Sequence, residues 1–215
     1  MKGMLIKDLS ILKVQKRFFL MVIGIALFLS MTDSGVGFIV SYLMFLFGMF
    51  TISTVSYDEM GNGIMHLMTL PVTRKQYVLS KYVFGLMLMT FAGAISIPVM
   101  LVSTAMTHTA IVMKELLFTV FITFGITMVF LSFSLPIQFK YGAEKGRIAM
   151  FITIGAIAGV VYLVEEILKT NGIDFMSVVS KFTELGIFVG ALGIGAIAYV
   201  ISMLISNKII QNKEF

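Results

Sequence analysis

Apolar residues dominate this chain in six long runs, and the connections between them hold most of the charged residues. The runs cover residues 18–31, 36–55, 78–106, 116–136, 148–164 and 185–206. A hydrocarbon core about 30 Å thick is crossed by roughly 20 helical residues, because each residue advances a helix by about 1.5 Å. Most runs reach that length, and the short first run relies on its basic flank to reach the membrane surface. The pattern therefore predicts an all-α, polytopic membrane protein with six transmembrane helices.

Basic residues crowd into every second connection. They precede the first run, follow the second and fourth runs, and return in the tail: Lys2, Lys7, Lys13, Lys16, Arg17, Arg74, Lys75, Lys81, Lys140, Lys145, Arg147, Lys208 and Lys213. The remaining connections hold only Lys114, Lys169 and Lys181. Positive charge near span ends is typical of the cytoplasmic side of a membrane. Both termini are therefore predicted to be cytoplasmic.

Composition excludes a soluble protein. The chain is 59% hydrophobic and 13% charged, whereas a soluble domain carries about 25% charged residues. We therefore treat residues 1–215 as a single membrane domain. The net charge of +5 lies beside the span ends, where anionic lipid explains it, so no nucleic-acid partner is expected. The absence of cysteine excludes disulfides, thiolate metal sites and a cysteine nucleophile.

The segment 1–17 has an amphipathic pattern. At 100° per residue, one side collects most of its apolar residues: Met1, Met4, Leu5, Ile11 and Leu12. Asp8 also falls on that apolar side. The pattern predicts an interfacial helix on the cytoplasmic surface. A disordered basic anchor is the alternative.

The last outer connection, residues 165–184, is too apolar for a solvated loop. We interpret it as short re-entrant helices that are split near Asn171 and Gly172. An amphipathic helix lying on the membrane surface explains the composition equally well.

The inner connection, residues 57–76, predicts a short helix with firm boundaries. Asp58 and Glu59 suit a helix amino terminus. Pro71 ends the helix, and Thr73 with Gln76 forms a capping box that starts the next span. The helix carries an apolar stripe at i, i+4, i+7 and i+8: Met60, Ile64, Leu67 and Met68. This stripe is too short to cross a membrane, so it must lie on the membrane surface or in a groove of another protein.

Several stretches resemble a known family. They are residues 4–8 (Met-Leu-Ile-Lys-Asp), 58–59 (Asp-Glu), 70–74 (Leu-Pro-Val-Thr-Arg), 77–82 (Tyr-Val-Leu-Ser-Lys-Tyr) and 136–147 (Pro-Ile-Gln-Phe-Lys-Tyr-Gly-Ala-Glu-Lys-Gly-Arg). In these positions after the second and fourth spans, they resemble the permease subunits of bacterial type-2 ABC exporters, in the small six-span family. The resemblance extends to exporters of amphipathic peptides such as phenol-soluble modulins and other toxins.

This resemblance implies partners and residue roles. The chain is expected to dimerise with an identical or paralogous permease in a bacterial plasma membrane and to bind two copies of a cytoplasmic ABC ATPase. The residues implied in ATPase coupling are Asp58, Glu59, Met60, Ile64, Leu67, Met68 and Arg74. A cytoplasmic turn holds Lys140, Glu144, Lys145 and Arg147, which serve either as topology anchors or as salt-bridge partners of the coupling and amino-terminal helices.

The chain lacks the phosphate-binding loop of an ATPase. We therefore expect no enzymatic activity and no bound cofactor, with ATP and magnesium held by the partner. Charged residues are expected to be absent from the spans, which disfavours an ion-driven carrier. Export of an amphipathic or hydrophobic substrate, a peptide toxin or antimicrobial peptide, is the predicted function. The alternatives are drug or lipid export by the same mechanism, or a scaffold that recruits a cytoplasmic protein without transport.

Smaller features inside the spans have two interpretations each. Thr119, Thr123 and Thr127 form a hydroxyl stripe that lines a translocation path or packs against a helix. The small-residue faces at 155–159 and 186–190 permit tight helix packing or a moving interface. The 18 methionines and 20 phenylalanines suit amphipathic cargo or ordinary lipid contact.

Overall fold

The computed structural model describes residues 2–30, 35–60, 63–69, 71–107, 113–170 and 184–213. Within these ranges the chain is helical and contains no strand. The helices are α1 (Lys2–Val14), α2 (Lys16–Ser30), α3 (Val36–Glu59), α4 (Gly63–Thr69), α5 (Arg74–Thr107), α6 (Met113–Thr170) and α7 (Glu184–Asn212). The predicted all-α class is confirmed.

Four helical segments in the described part are long and apolar enough to cross a membrane: Gly37–Glu59, Arg74–Val102, Met113–Gly142 and Phe188–Asn212. The first of these segments, in α3, is the most central. In its most apolar 18-residue stretch 61% of the residues are buried, whereas the corresponding share in α7 is 17%. The predicted number of six spans is not confirmed. The first run forms the 15-residue α2, and the fifth lies in the second half of α6.

Helix α6 bends sharply at Gly142. This residue has φ 78° and ψ −178°, a conformation that essentially only glycine adopts. The Cβ position of Gly146 lies 3.5 Å from the Cα of Gln138, whereas a straight helix separates such residues by about 12 Å. The chain therefore turns back at one residue. The predicted turn is present, but the helix continues through Pro136 up to it.

The α6–α7 packing depends on glycines other than those the small-residue faces indicate. No described atom lies within 4 Å of the Cβ positions of three glycines in those faces: Gly155, Gly159 and Gly190. Instead, Gly125 would place a Cβ 2.7 Å from the carbonyl oxygen of Ala191. Gly195 would place one 2.9 Å from the carbonyl oxygen of Gly125. Two backbones therefore meet where any side chain would separate them.

The outer connection is described only at its edges. Helix α6 continues to Thr170, with an ion pair of 2.7 Å between Lys169 and Glu165. Residues 165–170 therefore extend α6 and do not form a separate short helix. The re-entrant helices predicted around Asn171 and Gly172 lie outside the described residues.

We expect Gly142→Ala to lower the unfolding free energy by about 1–3 kcal/mol, because alanine resists the positive φ at this position. Its Cβ would also lie 3.3 Å from the Glu59 carboxylate. The thermal midpoint of the purified protein in detergent measures the change. Gly155→Ala is the matched control, since Gly155 is helical and its Cβ position is open. Equal midpoints for the two variants would show that Gly142 is not required for the bend.

Candidate functional site

A buried ion cluster joins three helices at one end of the bundle, here called the charged end. It contains Asp8 from α1, Asp58 from α3, Lys81 from α5 and the neighbouring Lys7. The Lys81 ammonium lies 2.8 Å from the Asp8 carboxylate and 2.7 Å from that of Asp58. Lys7 donates to Asp58 and lies 3.5 Å from Asp8. The side chains of Asp8 and Lys81 are both 0% exposed.

The cluster balances two positive and two negative side chains. Charges removed from water lose solvation energy, which close opposite charges and further hydrogen bonds must offset. Lys81 supplies such bonds, because its ammonium also donates to Thr54 Oγ1 at 3.2 Å and to the Thr54 carbonyl oxygen at 3.4 Å. Burial raises the pKa of the Asp8 carboxyl, and the Lys81 ammonium opposes that rise. Charge balance therefore holds α1 against α3 and α5.

The expectation that no charged residue lies within a span is wrong. Lys81 lies inside the candidate span Arg74–Val102 and is fully buried. It forms internal ion pairs with Asp8 and Asp58. The sequence signal for this pair is Asp8, the acid on the apolar side of α1. A buried carboxylate requires a buried cation nearby.

The predicted short helix exists as α4, but it begins later than expected. Asp58 and Glu59 form the last turn of α3. Met60 is extended, with ψ 135°, and α4 begins at Gly63. The prediction that the two acids open the short helix is therefore wrong. Asp58 belongs to α3 because its carboxylate binds Lys7 and Lys81 within the cluster.

The apolar stripe of the short helix divides between two environments. Ile64 is 5% exposed and Leu67 is half-buried, packed against the core that contains Met4 and Val55. Met60 is 67% exposed. Met65 and His66 are also exposed, so they share the outward side of α4. The Met68 side chain lies outside the described part of the structure.

The start of α5 agrees with the sequence. The Thr73 amide donates to Gln76 Oε1 at 3.3 Å, and the Gln76 amide donates to Thr73 Oγ1 at 3.2 Å. This reciprocal pair is the predicted capping box. At the other boundary of α4, a Cβ on Gly63 would lie 2.6 Å from the Asp58 carbonyl oxygen. Helix α4 therefore lies close to the end of α3, and the capping box fixes where α5 begins after it.

The tail also reaches the charged end. The Arg74 guanidinium donates to the carbonyl oxygens of Ile210 at 3.1 Å and Gln211 at 2.5 Å, in the last turn of α7. Lys213 donates to the Phe139 carbonyl oxygen at 3.0 Å and lies 3.5 Å from Glu59. The predicted coupling residue Arg74 therefore binds the end of α7. These contacts gather the amino-terminal segment, the inner connection, the bend of α6 and the tail at one end.

The residues of the predicted cytoplasmic turn lie around the Gly142 bend. Lys140 and Lys145 are exposed, and the Lys140 ammonium lies 5.2 Å from the centre of the Tyr141 ring. The side chains of Glu144 and Arg147 are outside the described part, so the salt bridges expected of them are not tested.

The hydroxyl stripe of α6 packs against α3. The Thr123 and Ser41 hydroxyls are 3.4 Å apart. A Cβ on Gly48 would lie 2.8 Å from the Thr127 methyl group. Thr127 also donates to the Thr123 carbonyl oxygen at 2.8 Å, while Thr119 is half-buried. In this structure the stripe therefore forms a helix–helix contact.

A cavity of about 340 Å³ lies between α3 and α6 near the charged end. Its polar lining residues are Ser53, Ser56, Tyr57 and Gln138, and Met49, Ile52 and Met60 supply apolar surface. Gln138 Nε2 donates to Ser56 Oγ at 2.9 Å. The cavity therefore offers an amphipathic lining beside the junction of α3 and α4.

The architecture defines a polytopic helical membrane protein in which one short helix projects from an end fixed by buried charges. The chain matches the family described as ABC-2 family transporter protein over residues 3–211, nearly its whole length, and it belongs to that family. No curated protein matches the chain. Family membership makes the chain the membrane-embedded subunit of a transporter, with an ABC ATPase as its partner. It also indicates a transport subunit that is not itself catalytic.

We expect Lys81→Met to destabilise the protein by about 3–5 kcal/mol, because it leaves buried carboxylates without a counterion. The double variant Asp8→Leu with Lys81→Met removes one charge of each sign and should recover most of the loss. Thermal unfolding of the purified variants measures both effects. Lys75→Met, at an exposed position of the same helix, is the control. A double variant no more stable than the single one would contradict the charge-balance explanation.

Proposed function

We propose that this protein is the transmembrane subunit of an ATP-driven exporter whose ATPase docks at the charged end. The single observation that carries this proposal is the anchoring of α4. The helix approaches α3 closely at Asp58, Ile64 is buried, and Leu67 packs against the protein's own core. A helix held against the bundle in this way transmits a push, whereas a loose tether does not.

The exposed side of α4 supplies the docking surface in this proposal. Met65 and His66 are exposed on α4, and Met60 is exposed just before it, while Ile64 and Leu67 anchor the helix to the bundle. Asp58, Glu59 and Arg74 then act as positioning residues, because each contacts the protein's own helices or tail. The partner ATPase holds ATP and magnesium. Docking also requires the charged end, and with it both termini, to be cytoplasmic.

In this proposal, the helices that meet at the charged end convert ATPase movement into transport. ATP-driven closure of two ATPases would press on α4 in each permease of a dimer, and α3 and α5 would carry the movement into the spans. Six spans, with α2 and the second half of α6 crossing the membrane, complete the proposed topology. The reversal at Gly142 supports that count, since it returns the chain toward the opposite end.

We expect Met65→Asp to prevent co-purification of the ATPase without unfolding the permease. Met65 is 47% exposed, and a carboxylate desolvated in an apolar interface costs several kcal/mol. Affinity purification of the co-expressed complex measures the loss. Met113→Asp is the matched control. Met113 is 50% exposed and is the first residue of α6, far along that helix from the bend at the charged end.

Undiminished co-purification with Met65→Asp would show that α4 is not the docking element. Leu67→Asp tests the anchor instead, and we expect it to impair folding because Leu67 packs against the protein's own core.

The proposed cargo is an amphipathic peptide, such as a toxin or antimicrobial peptide. The cavity beside α3 supports this cargo, because its lining combines serines and a glutamine with methionines and an isoleucine. Methionine-rich surfaces adapt to varied apolar partners. Drug or lipid export uses the same cavity and remains the alternative cargo. A non-transporting scaffold would require no cavity and no stimulation of ATP turnover by a substrate.

We expect amphipathic helical peptides to raise ATP turnover of the reconstituted complex more than sugars or inorganic ions do. Ser53→Phe should reduce the ratio of stimulated to basal turnover, because the ring occupies part of the 340 Å³ cavity. Thr90→Phe, at an exposed position of α5, is the control for an added ring. Stimulation by a sugar but not by peptides would overturn the cargo assignment and leave the permease assignment intact.

A further inference from the structure

An apolar groove of about 630 Å³ runs between α1 and α5. Helix α1 contributes Ile6, Leu9 and Leu12, and α5 contributes Phe84, Met87 and Phe91. Residues 84 to 91 advance α5 by roughly 10 Å. The groove therefore extends from the level of α1 into the depth of the candidate span Arg74–Val102.

The walls of this groove are apolar surface that the described protein leaves uncovered. Ile6 is 62% exposed, Leu9 is 38% exposed and Phe91 is 57% exposed. Helix α1 packs its other side, with Met4 and Asp8, against the bundle. Its apolar residues therefore lie on two sides, one facing the protein and one facing the groove. Within a membrane span, acyl chains cover such surface.

The rim of the groove carries positive charge. Lys13 lines it and is exposed, and no ion pair to Lys13 occurs among the described residues. Lys16 and Arg17 follow within the next turn and are exposed as well. Lys7 contrasts with these residues, because Asp58 neutralises it in the buried cluster. Lys13, the cation that lines the groove, thus has no counter-charge from the described protein.

We propose that this groove is a binding site for one phospholipid with a net negative headgroup. The acyl chain lies along Leu9, Met87 and Phe91, and the headgroup phosphate contacts the Lys13 ammonium. A zwitterionic lipid would bring its own cation next to Lys13, which disfavours it. Basic clusters at a membrane surface select anionic lipids through this electrostatic attraction. The proposal goes beyond the transport function, because it requires only that the chain lies in a membrane.

The chain contains no tryptophan, so Phe91→Trp in the full-length protein gives a single fluorescent reporter inside the groove. The variant is reconstituted into phosphatidylcholine vesicles that contain increasing fractions of brominated phosphatidylglycerol or brominated phosphatidylcholine. We expect brominated phosphatidylglycerol to quench the tryptophan at a lower mole fraction. In the same background, Lys13→Gln should weaken that preference about fivefold, the effect of one lysine at an anionic surface. Lys75→Gln should leave the preference unchanged, since Lys75 is exposed but does not line the groove.

Equal quenching by the two brominated lipids would overturn the proposal, because ordinary lipid contact explains it. Survival of the preference in Lys13→Gln would overturn it as well.

The chain also lacks cysteine, so Phe91→Cys provides a single crosslinking site. Disulfide dimers of that variant, without lipid preference, would assign the groove to a second copy of the chain. Competition by inorganic phosphate without lipid quenching would assign Lys13 to a free anion. Each of these outcomes leaves the ATPase-docking proposal untouched.

Discussion

Charged side chains removed from water must lie next to opposite charge, and this requirement fixes how α1, α3 and α5 meet. Lys81 is completely buried and contacts both Asp8 and Asp58 within 2.8 Å. A shift of α1 by one residue would replace Asp8 with Lys7 or Leu9 at this contact. Lys81 would then face a like charge or no charge. The register of the amino-terminal helix is therefore determined by electrostatics, whereas apolar packing alone tolerates sliding.

The pairing of buried charges also positions the start of α4. Asp58 contributes its carboxylate to the ion cluster and its carbonyl oxygen to the close approach of Gly63. One residue thus connects the buried charges with the start of the short helix. After α4, the capping box fixes the first turn of α5. Lys81 lies two turns further along α5, so the helix that follows α4 also contributes to the cluster.

Features that depend on local sequence could be predicted, and those that depend on distant partners could not. The capping box of Thr73 and Gln76 follows from residues three apart, and the structure contains it. The start of α4 was misplaced because the partners of Asp58 are remote in sequence: Lys7 and Lys81. The close approach of Gly125 to Ala191 was missed for a similar reason. A glycine in a span carries no local mark of which helix it will meet.

Hydrogen bonding differs between the two halves of the bundle, and the difference separates a fixed region from an adaptable one. Near the charged end, hydroxyls such as that of Ser80 donate to their own helix, but others bond across helices: Tyr82 contacts Ser202 at 2.6 Å and Tyr199 donates to the Tyr82 carbonyl oxygen at 2.8 Å. Toward the opposite end, Ser96 and Thr127 donate to carbonyl oxygens of their own helices.

Apart from the long Ser41–Thr123 contact, the described helices meet there mainly through apolar side chains. Directional bonds between helices resist displacement, whereas apolar contacts repack at lower cost because they have no preferred direction. If the ATPase docks on α4 as proposed, a push on that helix would move the charged end as one body. The spans would then separate where only apolar surfaces join them, at the end farthest from α4. An opening of that kind, remote from the site where force enters, fits the proposed export, because cargo would leave on the far side of the membrane.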